Sequence, residues 1–272
     1  MTGTESAHPA SHGLGEMTPA QVIALMAAEE PRVLAAVEAV GQRLAALADD
    51  IARCTMAGRR TVMLGAGTSG RLALQEVAEL PPTFGVPAEQ FCALIASKVP
   101  LGPTVVAPTE DDTESVVGAL RELEVSAGDV VIGVAASGRT PFVLAGLRAA
   151  TSAGARTWGI ANNPDTPLLT VADHGIFLDL LTGSTRLKAG TAQKIALNRA
   201  TTAAMVAAGR VVGNHMRELT GTNDKLRARA VNIVMEISGV SMGEAIRLLL
   251  DSGWHVSAAL EKATSGPVRA EP

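Results

Sequence analysis

The chain contains no tyrosine, and Phe and Trp together bring its aromatic content to only 2%. A surface that binds single-stranded nucleic acid stacks bases on aromatic rings, and this sequence has almost none to offer. Basic tracts are missing as well. Its 23 Lys and Arg residues stand against 27 Asp and Glu, for a net charge of −4. That balance provides no face for a polyanion, so no nucleic-acid partner is expected. Cysteine is limited to Cys54 and Cys92, too few for a disulfide framework and without zinc-site spacing, so no metal is expected. No charged-then-apolar leader opens the chain, and no apolar run reaches membrane-spanning length. These absences predict a soluble, cytoplasmic protein with no membrane partner.

What is present is a large aliphatic fraction. Hydrophobic residues make up 47% of 272, enough for one large α/β domain or for such a domain with a helical appendage. With so few aromatic rings, the core must be packed from Ala, Val and Leu.

Residues 1–16, rich in Ser, Gly, His and Pro, read as an irregular arm. Thr18-Pro19-Ala20 has the form of a helix start, Thr18 as N-cap and Pro19 in the first helical position. A second helical stripe runs from about Pro31 through Arg53. Thr61-Val-Met-Leu64 reads as a buried strand, and the helix beyond it is expected to stop at Glu79, before Pro81-Pro82. Further strands are expected at Phe91–Ile95, Asp129–Val134, Thr157–Ile160 and Gly175–Leu178. Helices are expected at 112–123, 141–150 and after Lys188 to about Ala208. Strands alternating with helices predict a parallel sheet covered on both faces, a three-layer αβα domain over residues 17–221. From 222 onward three short helical patterns, parted by Ser238-Gly239 and Ser252-Gly253, predict a small helical subdomain at 222–272.

The chemistry concentrates in hydroxyl-glycine turns. Gly67-Thr-Ser-Gly-Arg71 and Ala136-Ser-Gly-Arg-Thr-Pro141 each follow an apolar run and open a helix. A third, Thr182-Gly-Ser-Thr-Arg-Leu-Lys-Ala-Gly-Thr-Ala-Gln-Lys194, precedes the long apolar helix. A helix N-terminus with free backbone N–H groups and nearby hydroxyls is a phosphate site. One such turn is an ordinary N-cap; three at one sheet edge point to a small phosphorylated molecule. Thr68, Ser69, Arg71, Ser137, Arg139 and Thr140 are its candidate ligands, with Ser184, Thr185 and Lys188 in the third turn.

Gly65-Ala-Gly-Thr-Ser-Gly70 is also a literal dinucleotide fingerprint, G-x-G-x-x-G. That motif expects an acidic residue at the end of the next strand to hold a ribose. Here the strand ends in Ala96-Ser97-Lys98, and Glu89 precedes it. A dinucleotide is therefore not expected.

Taken together, Gly65-Ala-Gly-Thr-Ser-Gly-Arg-Leu72, Glu79 with Pro81-Pro-Thr-Phe-Gly85, Ala135-Ala-Ser-Gly-Arg-Thr-Pro141 and the Thr182 to Lys194 run closely resemble the N-acetylmuramic acid 6-phosphate etherases. These belong to the sugar-isomerase (SIS) fold group, and the resemblance covers nearly the whole chain. It implies a homodimeric lyase with no metal or redox cofactor. The reaction implied is cleavage of the C3 lactyl ether by elimination followed by water addition, giving N-acetylglucosamine 6-phosphate and D-lactate in cell-wall sugar recycling.

Such a reaction needs two carboxyl groups in opposite protonation states, one to remove the C2 proton and one to assist the leaving oxygen. Matching the family pattern assigns Glu110 to the C2 proton and Glu79 to the lactate and the incoming water. Glu79 falls at an expected helix end, where the dipole disfavours a negative carboxylate. Glu110 opens the acidic run Glu110-Asp111-Asp112. This chain departs from the family's Ser-Glu-Cys-Pro-Pro with Ala78 and Leu80 around Glu79, and has Ser97-Lys98 where the family carries glycines. Such changes leave a sugar-phosphate isomerase or a non-catalytic sugar-phosphate sensor as the competing readings. His174 and His215 are expected to be structural.

Overall fold

Runs of aliphatic and β-branched residues form the sheet, as their burial on both faces requires. The computed structural model describes residue 4 and residues 8–96, 105–107, 109–180 and 185–265. Strands β1 (Thr61–Ala66), β2 (Phe91–Ala96), β3 (Val105–Ala107), β4 (Val130–Val134), β5 (Arg156–Ala161) and β6 (His174–Phe177) make one sheet in the order β3-β2-β1-β4-β5-β6. Every pairing in it is parallel.

Residue alternation along β1 divides the two covering layers. Val62 and Leu64 join Phe142, Val143 and Leu147 in one buried cluster. This brings helices α4 (Thr113–Glu122), α5 (Pro141–Ser152) and α6 (Pro167–Val171) onto that face. On the other face Trp158 of β5 donates its indole N–H to Asp50 of α2 (Gly41–Met56) at 2.9 Å. Helix α3 (Gly67–Phe84) begins there too, its Gly70 pressed against Ile95 of β2. Helix α7 (Gly190–Ala207) is tied to α3 through Glu76, a carboxylate only 3% exposed, which accepts from Lys194 (3.0 Å), Asn198 (2.8 Å) and Thr201. The expected three-layer αβα sheet is what forms.

Several boundaries differ from the sequence reading. Helix α1 is continuous over Pro19–Ala39 despite Pro31, and the break falls at Val40, before Gly41. Thr18 and Gln21 close a full capping box at its start. Helix α3 does not stop before Pro81 and Pro82 but runs on to Phe84. Proline's φ is already helical, so the chain can continue if the ladder bonds from the two missing N–H groups are given up. Strand β3 is not among the strands expected; it lies between the expected strand at Phe91–Ile95 and the helix at 112–123.

Close contacts divide the chain into two compact units, Met1–Ala78 with Ala88–Ala204, and Glu79–Pro87 with Met205–Pro272. Within the second, a two-stranded antiparallel ribbon, β7 (Val211–Val212) and β8 (His215–Met216), precedes three helices. These are α8 (Asp224–Ser238), α9 (Met242–Leu250) and α10 (Val256–Ser265), parted at the two serine-glycine breaks the sequence showed. Asn223 and Ser241 cap α8 and α9 by accepting from Leu226 and Glu244 N–H groups. Leu219, Ala230, Val234, Leu249, Val256 and Ala259 form the core of this unit. No helix among the described residues is long and apolar enough to cross a membrane.

Candidate functional site

The strand order sets where a ligand can enter. β1 and β4 are neighbours, yet the chain leaves β1 toward β2 on one side and β4 toward β5 on the other. Their following helices, α3 and α5, cover opposite faces, so a crevice opens beyond the carboxyl ends of this pair. Two of the three hydroxyl-glycine turns lie there. Helix α3 starts at Gly67, directly after β1 ends at Ala66. The N–H groups at its start, carried by Gly67, Thr68 and Ser69, have no partners within the helix. Thr68 is half-buried and Ser69 buried.

The second turn follows β4. Ser137 Oγ accepts from the Arg139 N–H at 3.2 Å, and Thr140 N-caps α5 without a side-chain capping bond. Gly138 adopts φ +65°, and a Cβ there would lie 2.3 Å from Thr166 Oγ1. No other residue fits this turn without displacing Thr166. Glu110 is tied to the same turn, because the Phe142 N–H at the start of α5 donates to the Glu110 carbonyl at 2.9 Å. The Glu110 side chain is exposed, and Asp112 two residues later caps α4 through Ser115 N–H at 3.1 Å.

The third turn is described from Thr185. Residues Thr185–Ala189 form a kinked turn before α7 begins at Gly190. A Cβ on Gly190 would meet the Thr185 carbonyl at 2.3 Å and the Thr68 methyl at 3.6 Å. The helix start of the third motif therefore sits against the first turn. Lys188 is half-buried, and its ammonium donates to Glu29 of α1 at 2.7 Å. Glu29 also takes His8 at 3.0 Å, and its carboxyl is held below the usual range chiefly by the Lys188 hydrogen bond. Ser184 and Ser97-Lys98 lie outside the described residues.

Relatives supply what geometry alone cannot. An N-acetylmuramic acid 6-phosphate etherase of Vibrio vulnificus (strain YJ016) is 41% identical over 267 residues, 97% of this chain and 89% of its own length. Another, from Pasteurella multocida (strain Pm70), is 41% identical over 94% of this chain and 87% of its own. The chain belongs to the N-acetylmuramic acid 6-phosphate etherase family. Residues 43–151 of this etherase-family chain also match the glucokinase regulatory protein N-terminal SIS domain. A phosphoheptose isomerase from Francisella tularensis superposes with a TM-score of 0.53 at 14% identity, covering 71% of this chain and all of its own. One from Neisseria gonorrhoeae gives the same score at 16% identity over 70% and 99%. At such identities they show the SIS fold alone.

The remaining site expectations for the etherase-family chain separate into groups. Thr68, Ser69, Ser137, Thr140, Thr185 and Glu110 share the first compact unit. Arg71, the last residue of the first turn, and Arg139, within the second, are exposed. Glu79 is exposed on α3 and is counted with the second unit. Glu79 does not stand at a helix end as expected, since α3 continues five residues beyond it to Phe84. His174 stacks on Trp158 with ring centroids 4.5 Å apart, near the start of β6 and away from the strands' carboxyl ends. His215 pairs with Glu236 at 2.9 Å. Sequence reasoning missed Gln193, whose Oε1 accepts the Ser69 hydroxyl proton at 2.9 Å. It stood inside the third motif, but nothing local marks an amide as buried.

Proposed function

We propose that this chain cleaves the C3 lactyl ether of N-acetylmuramic acid 6-phosphate, releasing N-acetylglucosamine 6-phosphate and D-lactate. The observation that carries the reading is the pair of hydroxyl turns beyond adjacent strands β1 and β4, with Glu110 bonded to the second. The sugar phosphate docks by its anionic end on the N–H groups of the α3 first turn, with Thr68, Ser137, Thr140 and the exposed Arg71 and Arg139 around it. Ser69 contributes its backbone, since its hydroxyl proton goes to Gln193. Thr185 reaches the sugar, while Lys188 holds the Thr185–Ala189 turn to Glu29.

In the open-chain aldehyde the C2 proton is acidic, and the Glu110 carboxylate removes it. Glu79, protonated, gives its proton to the lactate oxygen as the C3–O bond breaks. The resulting Glu79 carboxylate then takes a proton from water, whose oxygen adds to C3, and Glu110 returns its proton to C2. The sum is one water consumed, one ether cleaved, and both glutamates restored. No redox or metal step is required.

The same reading makes the protein a cytoplasmic homodimer. Free thiols at Cys54 and Cys92 suit a reducing compartment. Helix α1 buries only Val33, Ala36 and Val37, all in its second half, while Ile23 (69% exposed), Met26 (48%) and Leu34 (51%) form an open apolar stripe. A second copy is the occupant that closed symmetry favours.

The deciding experiment incubates the protein with N-acetylmuramic acid 6-phosphate and measures D-lactate. Glu79→Gln should release none, yet still be thermally stabilised by N-acetylglucosamine 6-phosphate. Undiminished lactate release by that variant removes the role given to Glu79. A ketose product in place of lactate makes the protein an isomerase, and stabilisation without any product makes it a sensor.

A further inference from the structure

We infer that Gln193 is a positioning residue whose single amide sets the three hydroxyl turns in register for the phosphate. The inference rests on the sugar-phosphate reading above. Its basis is a buried chain of hydrogen bonds with only one possible direction. The Leu178 carbonyl can only accept, so Asn162 must turn its Nδ2 toward it, at 3.2 Å. That leaves Asn162 Oδ1 to accept from Gln193 Nε2 at 2.9 Å. Gln193 Oε1 is then the acceptor for the Ser69 hydroxyl, also at 2.9 Å. Ser69 is 3% exposed, Asn162 1% and Gln193 0%.

Each contact belongs to a different turn. Ser69 lies in the first turn of α3, and Gln193 itself stands on the first turn of α7, just past the kinked Thr185–Ala189 segment. Asn162 follows β5, and its backbone N–H donates to the Ala136 carbonyl at 3.0 Å, immediately before Ser137. One side chain thus fastens elements 124 and 31 residues away in sequence. Water cannot replace a broken link in a site this enclosed, so the turns must shift instead. The direction of the chain also sends the one proton of Ser69 into the protein. The Ser69 hydroxyl cannot donate to a phosphate, and its effect on binding passes through Gln193.

A second contact between α3 and α7 serves as the control. Glu76 holds Lys194, Asn198 and Thr201 on the same helix pair, so loosening it tests docking of the helices without touching the turns. The experiment is a calorimetric titration of N-acetylglucosamine 6-phosphate into the wild type, Ser69→Ala, Gln193→Met, the double variant and Thr201→Val. Either single change should weaken binding about tenfold or more, because small misplacements of positioning groups carry such losses. The double variant should bind no worse than the weaker single, as expected for two links of one chain. Thr201→Val should melt earlier and bind like the wild type.

Multiplying losses in the double variant would mean that Ser69 touches the ligand on its own account, and would overturn the inference. So would wild-type affinity in Gln193→Met, or an equal loss in Thr201→Val. If Gln193→Met does not fold, Ser69→Ala decides alone, and unchanged affinity there is fatal. A wild-type protein that does not bind the sugar phosphate at all removes the parent reading, and this inference with it.

Discussion

Replacing Gly138 by alanine should loosen the second hydroxyl turn by an amount the structure lets one work out. The residue sits at φ +65°, a left-handed conformation that costs an L-residue about 1–2 kcal/mol. The added Cβ would also lie 2.3, 2.5 and 2.8 Å from Thr166 Oγ1, Cβ and Cγ2. Thr166 is 1% exposed, and the Leu168 N–H donates to the Gly138 carbonyl at 3.1 Å, so the two segments cannot simply part. Overpacking of this kind costs about 1–3 kcal/mol. The total is about 2–5 kcal/mol, a fall of roughly 4–20 °C in melting temperature for a chain of this size.

A second substitution separates the two contributions. The Thr166 side chain makes no capping bond, and its hydroxyl has no hydrogen-bond partner among the described residues. Thr166→Gly alone should therefore cost only its two buried carbons and the freedom that glycine adds to the unfolded chain, about 2–3 kcal/mol. Placed in the Gly138→Ala background it removes all three close atoms and should recover the overpacking share. Thermal and urea unfolding of the four proteins give the coupling energy as a double-mutant cycle. Strict additivity, or a Gly138→Ala protein as stable as the wild type, would mean that Gly138 and Thr166 do not press on one another.

Acid should detach α1 from the third turn. The Lys188 hydrogen bond, with the charges of Lys188, His8 and Arg32, holds the Glu29 carboxyl below its ordinary value. Its stabilising contribution is therefore complete above the usual carboxylate range and fades as pH falls through the lowered folded-state value. Glu29→Gln should melt below the wild type at pH 7, and the gap should close in acid; a gap that persists there contradicts the sign. For the α1 stripe, light scattering of the wild type should give twice the 27.8 kDa chain mass, and Ile23→Asp with Met26→Asp should halve it. A wild type that scatters as a monomer at micromolar concentration rules the stripe out as the dimer contact.

Most of the fold was legible because its signals are local. The Thr18-Pro19 start, the serine-glycine breaks around α9 and the apolar runs of β1, β2, β4 and β5 each act within a few residues. The misreadings have a common cause. Pro31, Pro81 and Pro82 break helices on average, yet α1 and α3 pass through them, because a residue's average preference yields to the packing of its helix. Strand β3 is three residues long, too short for any alternation to be read.

By itself, then, the amino-acid sequence determined the family, the alternation of strands with helices, and the residue types gathered in the hydroxyl turns. These follow from burial periodicity and capping chemistry that each segment carries alone. Only the tertiary structure decided that β4 lies beside β1, so that two of those turns share a crevice. It alone gave the Ser69 proton to Gln193 and the Lys188 charge to Glu29. Such pairings join residues more than a hundred positions apart, and close packing of the whole sheet, which no local pattern encodes, is what selects them.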